Sequence, residues 1–413
     1  MLHNQRVNEA VSALLKRLSS AHTESELLSI VQTIAAARED SLQYKDLGWK
    51  VISGVIAVMG LVVFLFAFGF DFLHYAYFII DPIIFYAHCW LPVVIVTAIV
   101  LWREEAGKPF RLMSFIADSA WRVAALAAIL FILLYSLQPW ATAFWNAIFW
   151  VNDLLFPATG VGATVGIIML LAGGYTFFKV WHRSSWRSRM SNEIQFRDTV
   201  LDSGLSEIKE DKFPSAKELV QDFREFKRGN DTRNMEKMYS GDYFEAGVSF
   251  PYQVYQYHYV VRRTVTTTDS KGRMTTRTVY DNHYRYGILL SFPQLRNVCF
   301  SSDSDVSGSG RRLKDNLHGL DDYYLVYTNH AEDLQRFMTP ERARLLSEFA
   351  RNTKDVVFEV NDRSRLCIAF SQDIFATSHQ YSLENPKEFA REVAGDSSFP
   401  HLQRALTLVH KLL

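Results

Sequence analysis

Two histidines, His258 and His283, fall on the two arms of one predicted β-hairpin, where they could face each other as half of a metal site. No carboxylate or cysteine stands beside them in the pattern. The pair is therefore read as structural, with the half-site as its alternative. Asp71, His74, Asp81, His88 and Asp153 lie in two aromatic loops and could form a polar mouth or bind a cation. Solvated side chains, or caps of interfacial helices, are the plainer reading. Cys299 and Cys367 sit in predicted strands among apolar residues, which suits buried thiols better than nucleophiles. The DDYY run at 321–324 offers paired acids, but neighbours on a strand point to opposite faces. His379 and Glu384 are loop positions without a supporting pattern. There is no HExxH, GxSxG, GxxxxGK[ST] or helix-opening GxGxxG, and the GSG at 308–310 lacks the surrounding pattern. The sequence thus predicts no catalytic residue, no cofactor and no metal.

The elements that would position such residues divide sharply by composition. Lys plus Arg equals Asp plus Glu at 44 each, so charge gives no reason to expect nucleic acid. The mean hydropathy of -0.02 hides two populations. Residues 51–102 and 123–178 contain no Lys or Arg, and nearly all the charge lies outside them. A bilayer enforces such segregation, because a charge in hydrocarbon costs roughly several kcal/mol. Four spans are predicted, at about 51–70, 83–102, 123–137 and 158–178. Each approaches the roughly 20 residues needed for a 30 Å core, the third being shortest, with Trp121 and Trp140 as interfacial anchors. The first fifty residues are too polar for a cleaved leader.

Orientation follows from the basic residues. Arg38, Lys45 and Lys50 precede span one, Arg103, Lys108, Arg111 and Arg122 separate spans two and three, and Lys179, Arg183, Arg187 and Arg189 follow span four. The other two loops carry none. The positive-inside rule then places both termini of a multi-pass membrane protein in the cytoplasm. The outer segments 71–90 and 139–157 are aromatic and nearly uncharged, as suits the headgroup layer. DPIIFYA at 81–87 resembles NDLLFPA at 152–158, which suggests two related hairpins or a chance likeness of apolar segments. Gly162, Gly166 and Gly173 line span four, and the GxxxG pair allows close helix packing, within the four-helix set or between copies. The intramembrane polar residues Ser53, Thr97, Ser136, Thr164 and Thr176 do not ionise, unlike those usual in transporters.

Outside the spans, residues 1–48 predict two amphipathic helices, the second opened by a capping box at Thr23 and Glu26. Residues 49–182 form the expected four-helix transmembrane domain with interfacial outer loops. Residues 183–413 predict a cytoplasmic α+β domain with an antiparallel sheet. Period-two alternation from Tyr252 runs into a Thr-rich hairpin turning at Asp269-Ser-Lys-Gly. Its tip is polar on both faces, so Thr266, Asp269, Lys271 and Arg273 mark either a partner-binding edge or a solvated ribbon. A second hairpin, 356–360 with 365–370, turns at Asn361-Asp362, Thr339 caps a helix from Pro340, and a helix occupies 401–413.

The runs YGILLSF at 286–292, DDYYLVYTNHAEDLQRFMTPERARLL at 321–346 and VVFEVNDRSRLCIAFS at 356–371, with GDYFEAGVSF at 241–250, carry a resemblance. Residues 188–413 resemble the uncharacterised bacterial membrane proteins catalogued as domain of unknown function 3137, often encoded beside LemA-family proteins. That family typically has two spans where four are read here, and it has no established reaction to carry over. The resemblance implies an inner-membrane setting and a LemA-like protein as one candidate partner. The leading expectation is a non-catalytic, protein-binding or regulatory scaffold in the lipid bilayer, with homo-oligomerisation as a further expectation. The alternatives are an oligomeric channel or permeability effector, and a membrane-surface enzyme.

Overall fold

A computed structural model of the chain describes residues 3–37, 39–68, 84–87, 91–92, 120–157, 161–268, 274–303, 305–306, 308, 310–313 and 317–413. Most of predicted span two, Asp71, His74, Asp81, His88 and Cys89 of the first outer loop, and the hairpin tip with Asp269, Lys271 and Arg273 lie outside the described residues. Two units emerge: Met1–Ser191 with Tyr381–Ala390, and Asn192–Gln380 with Arg391–Leu413.

The first unit is helical. Helices α1 (His3–Ser19) and α2 (Glu24–Ala36) bury Val7, Val11, Leu14 and Leu18 together with Leu27, Ile30, Val31 and Ile34. Thr23 Oγ1 accepts from Glu26 N, and the Glu26 carboxylate accepts from Thr23 N, so two orphan amides at the start of α2 are satisfied. Then follow α3 (Leu47–Ala67), α4 (Ala120–Ser136), α5 (Gln138–Leu155) and α6 (Gly162–Ser184). Two helices among the described residues, Trp49–Ala67 and Gly162–Ser184, are long and apolar enough to cross a membrane. Predicted span three forms α4, at 17 residues shorter than either, and the aromatic segment after it is the helix α5.

Helices α3 and α6 meet backbone to backbone. A Cβ on Gly166 would lie 2.5 Å from Phe64 N and 2.8 Å from Gly60 O, and one on Gly173 would lie 2.6 Å from Ala57 N. Only glycine permits that approach. The outward faces are apolar: Val51, Val55, Val58 and Leu61 on α3, Leu171, Phe178 and Trp181 on α6. Ser53, Asn152, Thr164 and Thr176 are buried. Thr164 Oγ1 donates 2.9 Å to Asn152 Oδ1, both buried, while Trp150, Leu154 and Leu155 on α5 are exposed.

The second unit is mixed α+β, as the sequence predicts. After α7 (Trp186–Asp202), which straddles the division, come β1 (Ser206–Glu207), α8 (Ala216–Asp222), β2 (Arg233–Glu245), β3 (Val248–Thr268), β4 (Met274–Ser291), β5 (Val298–Ser301), β6 (Arg311–Arg312) and β7 (Leu325–Thr328). Next are α9 (Ala331–Phe337), α10 (Pro340–Asn352), β8 (Val357–Val360), β9 (Arg365–Phe370), α11 (Pro386–Val393), also straddling, and α12 (Pro400–Leu412). The strands form one antiparallel sheet in the order β1-β2-β3-β4-β9-β8-β5-β7-β6. Thr339 caps α10 by accepting from Arg342 N at 3.3 Å.

Alternation gives the sheet two buried faces. Val254, Ile288, Phe300, Phe358, Leu366 and Ile368 belong to the larger core, which takes in Leu346 and Phe349 of α10 and Leu406 and Val409 of α12. Tyr255, Tyr257, Leu289, Cys299, Val357, Cys367 and Ala369 point the other way, into a core closed by Leu219, Phe223 and Phe226 from α8 and the turn after it.

Candidate functional site

Strands β3 and β4 are much longer than the sheet they belong to. The β2–β3 ladder ends at the pair Arg233↔Tyr259, and the β4–β9 ladder starts at Tyr286↔Phe370. Beyond these points β3 and β4 pair only with each other, from Val260↔Asn282 to Thr268↔Met274. At roughly 3.4 Å per residue this two-stranded ribbon extends about 30 Å. Its faces are built from Thr264↔Thr278, Thr266↔Thr276 and Thr267↔Thr275, with Thr266 and Thr276 hydroxyls 3.3 Å apart. Thr266 is exposed, as are most ribbon side chains. Such a ribbon has little to bury, and an isolated two-stranded hairpin is only marginally stable in water. Its geometry depends on its root.

The root holds a buried ionic cluster. Arg285 faces Tyr257 across the ladder and is 2 % exposed. Its Nε donates 2.5 Å to Glu225 Oε1, Nη1 donates 2.7 Å to Ser371 Oγ and Nη2 donates 2.6 Å to Asp355 O. Glu225 is fully buried and also accepts from Arg228 Nε at 2.9 Å, while Arg228 Nη2 reaches Asp303 Oδ2 at 2.7 Å. Two guanidiniums thus face two carboxylates, the balance that lets charges stay buried. Asp303 is held below the usual carboxylate range by an amide bond from Asp305 and by Arg228, against the opposing effect of burial. The cluster ties the ribbon strand to the turn after α8, to the loop after β5 and to the segments flanking β8 and β9.

Glu359 lies beside it in a row across the sheet, between Cys299 and Cys367. Its carboxylate accepts from Arg224 N at 2.8 Å and 2.9 Å and from Glu225 N at 3.3 Å. Burial outweighs these amides and pushes the carboxyl up to about 7. Burial pushes both thiols well above their ordinary range, and Cys367 Sγ lies 3.2 Å from Tyr255 Oη. A neutral, enclosed thiol is a poor nucleophile.

The remaining sequence candidates separate. The ladder pairs His258 with Tyr284 and Tyr259 with His283, so the two histidines project from opposite faces and cannot form a half-site. His258 stacks on Tyr284 at 4.9 Å and meets Asn282 Oδ1 at 3.0 Å, while His283 stacks on Tyr259 at 5.1 Å. Among the described residues no group of three His, Cys, Asp or Glu could hold a metal. Asp321 and Asp322 are exposed and belong to a 3-10 turn, Leu320–Asp322, rather than a strand. His379 Nε2 lies 2.7 Å from Asn192 Oδ1, and Glu384 is exposed. Asp153 is exposed near the end of α5. The Arg285 cluster escaped the sequence reading. Its signal is a lone arginine at an inward position of YRYGILL, where alternation demands an apolar residue.

Comparison with protein-family models, with curated proteins and with solved structures finds no match to this chain.

Proposed function

We propose that this is an integral inner-membrane protein whose α+β domain is a non-catalytic, cytoplasmic scaffold and binds protein through the β3–β4 ribbon. The observation that carries the reading is the ribbon itself. It is a long, polar, two-stranded arm with its β4 edge open and its β3 edge bonded near the base, held at its root by a buried ionic cluster. Unpaired strand edges are templates for further strands, so retaining one on a rigid base suits a binding element. The membrane half rests on α3 and α6, whose outward faces are apolar while Ser53, Thr164 and Thr176 are buried. Its four-span layout with both termini cytoplasmic follows the distribution of Lys and Arg. The resemblance of residues 188–413 to the family of unknown function 3137 supports a bacterial membrane setting, and makes a LemA-like protein the first partner to test.

The test is co-purification from membranes of the full chain against a variant in which 264–278 is replaced by a short turn. Loss of bound protein from a variant that still inserts and folds is expected. Unchanged recovery of the same proteins would contradict the reading.

A further inference from the structure

The free edge of β4 carries its own complement. We infer that the ribbon pairs with the ribbon of a second copy of this chain, β4 against β4, antiparallel, about a two-fold axis at Val279. This rests on reading the ribbon as a protein-binding element and names its occupant.

The first observation is which edge is open. Phe292 N donates 2.7 Å to Ser364 O, on the β9 side of β4. Backbone direction alternates along a strand, so the even residues from Met274 to Tyr284 aim N–H and C=O at the edge that β9 leaves uncovered. The opposite edge is partly occupied. Val260 N donates to Thr232 O, and the Asn230 side chain bonds both Arg262 N and Arg262 O, imitating a strand. Among the described residues no third strand pairs with β4 over 274–285.

Charge then selects the register. With Val279 opposite its own copy, Arg277 faces the partner's Asp281 and Asp281, which also holds Arg263 Nε of its own β3 at 2.6 Å, faces the partner's Arg277. Opposite charges directly across a ladder stabilise it and like charges weaken it. A dyad at Arg277 or at Asp281 would set like charges together. A dyad at Thr278 or Tyr280 would oppose both charges with uncharged residues. The Val279 register also keeps even residues against even, as the outward backbone groups require. On β3 the segment 260–268 contains Arg262 and Arg263 and no acid, so that edge cannot pair with itself on the same terms.

The third observation is where apolar surface lies open. Among the described residues of the second unit the exposed large apolar or aromatic side chains are Phe244, Met274, Tyr280 and Tyr284, and three of these four are on the even face of β4. The Val279 register sets Met274 beside the partner's Tyr284 and Tyr280 beside the partner's Thr278, covering all three. Aromatic cross-strand contacts of this kind are what stabilise a two-stranded interface.

The test is disulfide trapping in the full chain. At the dyad, Val279 would face its copy in a non-hydrogen-bonded pair with Cα atoms about 4.5 Å apart, which a disulfide can span. Mild oxidation of Val279→Cys should therefore give a covalent dimer. Val265→Cys, on the same face of the ribbon but on β3, should not. Arg277→Asp alone and Asp281→Arg alone should each abolish trapping, and the two together should restore it. Absence of the Val279→Cys dimer, equal trapping at Val265→Cys, or no rescue by the double exchange would each overturn the inference. If trapping fails while loss of 264–278 still releases a bound protein, the ribbon binds something other than its copy. If neither responds, the binding reading fails as well.

Discussion

At the scale of single residues, the most consequential side chains are charged groups inside an apolar sheet. Glu359 is the one whose titration reaches the physiological range. Its carboxyl sits at about 7 in the folded chain against 4.5 ordinarily, because burial penalises the anion. The folded state therefore binds the proton more tightly than the unfolded one. The associated stability is full below about pH 4.5 and is lost as pH rises through about 7. Glu359→Gln cannot ionise and should abolish that decline, at the cost of one amide contact. Hydrogen exchange of β8 and β9 amides from pH 5 to 8 checks this: the wild type should lose protection by roughly 2–3 kcal/mol and the variant should stay level. A wild-type profile as flat as the variant's would contradict the burial argument. Arg285 and Glu225 were not legible in the sequence for a related reason. Hydrophobic patterning treats an inward charge as an error in the pattern, and only the partners that neutralise it, more than fifty residues away for Glu225, reveal it as a fixed part of the core. Cys299 and Cys367 were legible, since a thiol between apolar neighbours in an alternating strand has nowhere to go but inward.

At the scale of elements, the α3–α6 contact depends on absent side chains. Gly166→Ala would place a methyl 2.5 Å from Phe64 N, an approach that backbone cannot relieve by a rotamer change. The variant should separate the helix pair and lower thermal stability in detergent, by roughly 1–3 kcal/mol. Gly174→Ala, where a Cβ meets nothing within 4 Å, is the matched control and should be neutral. Equal behaviour of the two would contradict close backbone packing. Elements with local signals were easy to read. The capping box at Thr23, the Thr339-Pro340 helix start and the Asn361-Asp362 turn each encode a boundary within a few residues. The strand register was not encoded locally. Whether His258 faces His283 depends on the pairing of the whole ribbon, and a shift of one residue reverses every face. The DDYY acids were placed one element too late: the 3-10 turn at Leu320–Asp322 opens on Gly319 in the left-handed region and is held by packing of Leu320, which is fully buried.

At the scale of the whole molecule, the sequence divides its charge so that two stretches are free of Lys and Arg, and the described helices within them expose apolar faces. The antiparallel sheet was expected from alternating, β-branched segments, and it is what forms. Its extent was less legible, because among the described residues nine strands join into one sheet through pairings as distant as β4 with β9. On the proposed layout the aromatic helix α5 and the ribbon lie on opposite sides of the bilayer. The most direct measurement is labelling with a membrane-impermeant maleimide in intact spheroplasts, using a chain whose Cys89 is replaced by Ser. Asp153→Cys should label from outside, and Thr266→Cys should label only after the membrane is opened. Shielding of position 153 together with ready labelling of position 266 from outside would contradict the account.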